Sequence, residues 1–137
     1  MCLKVTKTVP DFETKTFYKV VRIQSDRLGG YALRSVFHDY TWARNNSENK
    51  FYDDVKVGNI IHYGFHVFVN EEDAKLICND YCAYYAMCYR VIKVIGKKED
   101  FVAEGIWAES FNETKCCVFT KLEVPEEEFK DLQNGKS

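Results

Sequence analysis

The residues of this 137-residue chain whose types and spacing could do chemistry fall in a few places. His62 and His66 stand four apart, as do Cys78 and Cys82, while Cys116 and Cys117 are adjacent. Two imidazoles and two thiols are the donor set of a tetrahedral zinc site. The spacing opposes that reading: residues four apart on an extended strand lie roughly 13 Å from each other, whereas Cys78 and Cys82 share a face only on a helix. No metal site is expected, and no cofactor. Cys116-Cys117 could offer a nucleophilic thiolate if the fold carried a His to it, and strand alternation predicts that one of the two points outward. A different kind of site is a recognition surface. Tyr40, Trp42, Arg44, Asn45 and Asn46 combine aromatic area with adaptable polar groups in a 38–54 stretch too long to be a plain connector.

These groups are positioned by the stretch 60–88. Ile61, Tyr63, Phe65, Val67 and Val69 alternate with Ile60, His62, Gly64, His66 and Phe68, which predicts one strand over 60–69 with an apolar face and a mixed face. The period then changes. Asn70 is placed to cap a helix, Glu71, Glu72 and Asp73 put negative charge at its positive end, and Ala74, Ile77, Cys78, Tyr81, Tyr85 and Cys88 form one stripe. A buried strand therefore feeds an amphipathic helix that packs back on its own sheet.

Around this unit, strands are predicted over 3–9, ended by Pro10, and over 16–23, the two pairing to open the sheet. Asp26, Gly29 and Gly30 turn the chain into a hairpin with a strand over 31–37. After the helix, 89–95 and 101–107 read as a hairpin across Gly96 and a charged turn, 108–114 as a loop, and 115–124 as the last strand. Pro125 suits the start of a short acidic helix over 126–132. The expectation is one α+β domain over residues 1–137. It has a curved, mainly antiparallel sheet of about seven strands, one main helix after the central strand and a short C-terminal helix.

Composition narrows the function classes. With 46% hydrophobic residues and a net charge of −2, the chain reads as a folded domain, without the Lys and Arg excess that nonspecific duplex binding requires. No apolar run approaches the ~20 residues of a membrane-spanning helix, and the opening lacks the apolar core of a secretory signal. A cytoplasmic protein with its six cysteines reduced is expected.

Tyr18-Lys19-Val20-Val21-Arg22, Leu33-Arg34-Ser35, Gly64-Phe65-His66-Val67-Phe68 with Glu72-Asp73-Ala74, and Val91-Ile92-Lys93-Val94 together resemble a group of small uncharacterised phage and bacterial proteins. In that group a GFHVF strand precedes an EDA helix start, which implies a mobile-element setting and brings no established activity. The same strand and helix also resemble the second-motif strand of ADP-ribosyltransferases. That likeness implies NAD held by Arg34 or Ser35, a pocket lined by Tyr63 and His66, and Glu104 polarising the ribose. The favoured expectation is a binding protein that recognises a protein or small ligand through Tyr40, Trp42, Arg44, Tyr63 and His66; the NAD-using transferase is the alternative.

Overall fold

Runs of β-branched and aromatic residues separated by polar turns favour strands, and ten strand segments form, in chain order, in the described residues of the computed structural model. The structure describes residues 3–25, 31–35, 47–48, 55–61, 64–85, 89–107 and 113–128, with the backbone alone at 23–25, 31–35, 47–48 and 84–85. The elements are β1 (Leu3–Lys7), β2 (Thr14–Ser25), β3 (Tyr31–Ser35), β4 (Ser47–Glu48), β5 (Ile60–Ile61), β6 (Phe65–Phe68), α1 (Glu71–Tyr85), β7 (Tyr89–Lys97), β8 (Phe101–Trp107), β9 (Lys115–Phe119) and β10 (Lys121–Leu122). A 3-10 turn, Lys98–Asp100, joins β7 to β8. The fold is α+β, and every strand pairing among the described residues is antiparallel.

The main sheet runs β3-β2-β6-β9-β8-β1-β5, with β7 on the other edge of β2. β2 is its longest strand. β7 pairs with it from Thr14↔Lys97 to Arg22↔Tyr89. Its opposite edge is shared: β6 meets it at Tyr18↔Phe68, and β3 takes the far end from Val21↔Ser35 to Ser25↔Tyr31. The hairpin of β2 and β3 is as expected.

Several expected features differ. The strand over 60–69 is broken at Gly64, whose φ of 98° lies in the left-handed region that glycine tolerates and a strand does not. The break changes the alternation phase, so Ile61 packs with Phe68 on one side of the sheet while Phe65 and Val67 pack on the other. Next, β1 pairs with β8 and β5 instead of β2, because Leu3 lies opposite Trp107 and Ile61 and shares their apolar cluster. Finally, β7 and β8 are not a hairpin. Lys98 N–H donates to Glu13 O at 2.9 Å and Thr120 N–H to Asp100 O at 2.9 Å, so the 3-10 turn carries the chain from the β2 edge to the β9 edge. There β8 pairs with β9.

Both faces of the sheet are buried. One carries Phe17, Val21, Phe65, Val67, Ile92, Val94, Cys117 and Phe119, closed over by Leu122 and Val124. The other carries Leu3, Val5, Val20, Phe68, Cys116, Val118 and Trp107 beneath Ala74 and Cys78 of α1. At about 25 cal/mol per Å² of apolar surface, each fully buried Phe or Leu contributes roughly 1.5–3 kcal/mol, so these two layers dominate stability. The α1 helix starts where expected: the Ala74 N–H donates to Asn70 O at 3.2 Å and the Asn70 side-chain amide donates to Asp73 at 3.3 Å.

The strand expected over 115–124 bends at Thr120. Beyond the bend Glu123 forms a two-bond bridge with Ile95, tying the end of the chain to the outer edge of β7. Glu128 extends that tie. Its carbonyl oxygen accepts from Arg90 Nη2 at 2.6 Å, and its carboxylate accepts from the Lys93 N–H at 3.2 Å. A helical turn begins at Glu127; the rest of the helix expected over 126–132 lies outside the described residues.

Candidate functional site

The least ordinary polar group in the core is Lys19, 3% exposed in the middle of β2. It shares the alternation phase of Phe17 and Val21, so sheet pairing delivers it into a covered layer. The β2–β6 ladder consists of the single pair Tyr18↔Phe68, and past that point the Lys19 ammonium donates to the His66 carbonyl oxygen at 2.8 Å. A lysine side chain thus closes a seam where backbone pairing stops. Burial pulls the amine from 10.5 down to about 7, and the nearby Cys116 works against that shift. An amine held near 7 has the reactivity used in Schiff-base chemistry, but this one is sealed under the core.

His66 and Glu104 do not meet. His66 lies opposite Val118 on the helix side of the sheet, is 3% exposed, and places Nδ1 3.1 Å from Gly64 O. Glu104 lies opposite Cys117, whose side chain belongs to the other layer and whose Sγ donates to Glu104 Oε1 at 3.8 Å. The sheet itself separates the imidazole from the carboxylate. Arg34 and Ser35 are in β3, opposite Arg22 and Val21 of β2. Tyr40, Trp42, Arg44 and Tyr63 lie outside the described residues.

The thiols are held in their protonated forms. Cys116 and Cys117 are both fully buried, which corrects the expectation that one faces outward. Alternation does send them to opposite faces, but both faces are covered. Burial pushes both thiols far up, with Glu104 adding to the effect at Cys117. Neither is an activated nucleophile, because the thiolate is the reactive form. On α1, Cys78 is buried and pushed up to about 11, first by burial and then by its neighbour Cys82, which is half-buried. Among the described residues no three His, Cys, Asp or Glu side chains gather as metal ligands. His62, part of the zinc set, lies outside them.

The expectation from sequence passed over Lys19. Its signal was legible: a single charge inside Thr16-Phe17-Tyr18-Lys19-Val20-Val21, on the phase of Phe17 and Val21. No helix among the described residues is long and apolar enough to cross a membrane. No family model, curated protein or solved structure matches the chain.

Proposed function

We propose that this chain is a small binding protein of a phage or bacterial cell that recognises a protein or small ligand through the segment bearing Tyr40, Trp42 and Arg44. The observation that carries this reading is how the segment is mounted. Ser35 at its start is held opposite Val21 in β3–β2, and Ser47 at its end opposite Leu122 in β4–β10. Residues 36–46 are thus bracketed in sequence by two paired strands. Tyr, Trp and Arg are the side chains that most often carry binding energy, and the segment between these strands holds one of each at 40, 42 and 44. Tyr63 belongs to the same reading, whereas His66, 3% exposed, is covered by the fold and is not offered to a partner.

The ADP-ribosyltransferase-like alternative lacks comparable support, since His66 and Glu104 stand on opposite faces of the sheet. Nicotinamide release from labelled NAD would restore it.

The test uses Trp42→Ala beside the parent protein in a quantitative pull-down from host extract, with thermal unfolding in parallel. Loss of a captured partner at an unchanged unfolding temperature is the expected result. An unchanged capture profile with lowered stability would make the segment structural and end the proposal. Because the chain has two tryptophans, a Trp107→Phe background leaves Trp42 fluorescence as a direct reporter of occupation.

A further inference from the structure

We infer that Cys78 and Cys82 on α1 form a two-sulfur site for a soft monovalent metal ion, Cu(I). This goes beyond the recognition segment and does not depend on it. The two cysteines are four apart within a continuous helix, so their Cβ atoms lie about 5–6 Å from each other on one face. Two metal–thiolate bonds of about 2.3 Å each span that separation once the side chains turn toward each other. Both side chains pack in the same apolar cluster, and Cys82 Sγ lies 3.7 Å from the Tyr89 carbonyl oxygen, to which it donates.

The surroundings select the ion. Cys78 reaches into the apolar layer with Ala74 and Phe68, while Cys82 is half-buried and gives access from solvent. Among the described residues no three His, Cys, Asp or Glu side chains are placed to hold a metal, and the pair itself offers two sulfur donors where a closed tetrahedral zinc site takes four. Two thiolates in an apolar rim suit Cu(I), which prefers soft sulfur ligands and accepts few of them. The zinc set considered from sequence joined these thiols to His62 and His66; the structure places His66 Nδ1 against Gly64 O instead. The reaction balances without redox change: Cu(I) forms two Cu–S bonds, both S–H bonds break, and two protons leave to solvent, giving an anionic dithiolate.

The experiment uses the full chain with Cys2→Ser and Cys88→Ser, reduced and anaerobic, titrated with Cu(I) supplied as its acetonitrile complex against a chromophoric Cu(I) chelator. One equivalent is expected to be retained, with affinity rising up to about 100-fold per pH unit near neutrality, since two protons are released. Cys82→Ser should weaken retention at least tenfold while the helix signal in circular dichroism is kept. Equal retention by Cys82→Ser, no retention by the parent, or a one-proton dependence would each overturn the site. Cys78→Ser carries a risk of misfolding, so maleimide labelling of the parent gives a second reading. Cu(I) should block labelling at Cys82, and unaltered labelling counts against the proposal.

Discussion

The Lys19 ammonium and the His66 carbonyl oxygen, 2.8 Å apart, join β2 to β6 just past their one backbone pair. A side-chain amine therefore does the work of a ladder hydrogen bond, and the cost of charging it depends on pH. Folded, the amine is held near 7; the ordinary value is 10.5. Between these values the unfolded chain carries a proton that the folded chain does not, so stability rises with pH; below about 7 both forms are protonated and the burial penalty is complete.

The first prediction follows from that sign. The urea midpoint should climb from pH 7 toward pH 9. It should then level or fall, because Cys78 is held near 11 against 9, so the unfolded chain sheds a proton that the folded one keeps. Lys19→Met should remove the climb between pH 7 and 9. An identical slope in the variant would show that Lys19 is not its source.

Thiol accessibility gives the second. Cys116 and Cys117 are fully buried with thiols pushed up, whereas Cys82 is half-buried. In native protein at neutral pH a disulfide reagent should modify Cys82 before Cys78, Cys116 and Cys117. Cys116 and Cys117 should react only at the rate of opening, and sub-denaturing urea should accelerate them selectively. Rapid modification of the Cys116-Cys117 peptide in native buffer would contradict the burial.

Two glycines give the third. A Cβ at Gly105 would stand 2.0 Å from the Lys4 carbonyl oxygen, and one at Gly96 would stand 2.4 Å from the Phe119 ring. Gly105→Ala meets backbone that β1–β8 pairing holds in place, so it should cost more than Gly96→Ala. Losses of about 1–3 kcal/mol or more are typical of overpacking. Denaturant titration compares them, and a neutral Gly105→Ala would mean that β1 is free to shift.

The fourth concerns the chain end. Arg90 and Glu128 side chains are only 14% and 15% exposed, and Glu128 also receives the Lys93 N–H. Glu128→Ala should cost about 1.5–3 kcal/mol, the range for hydrogen bonds to charged groups, and should raise amide exchange at Lys93. Unchanged exchange there would show that the carboxylate is not holding the β7 edge.

Much of the architecture was legible in the residues. The switch of period at Asn70 marked α1, and Phe101–Trp107 was readable as a strand to the residue. Pairing was not legible, because hairpin logic favours neighbours in sequence, whereas Leu3 finds Trp107 and Thr14 finds Lys97 through long-range packing. The break at Gly64 was hidden by an alternation that continues through it in composition but not in space. Lys19 was visible as a charge in an apolar strand, yet its partner is a backbone carbonyl 47 residues away, which no local pattern announces.

The close approaches at Gly96 and Gly105 have a consequence for how reliably the sheet assembles. With apolar side chains on both sides of β9, sliding that strand by one residue would trade one greasy surface for another and lose little burial. What distinguishes the correct alignment is shape: the Phe119 ring lies where a side chain at 96 would stand, and the Lys4 carbonyl where one at 105 would. Steric keys of this sort let a chain with few polar cues reject misaligned β-structures during folding.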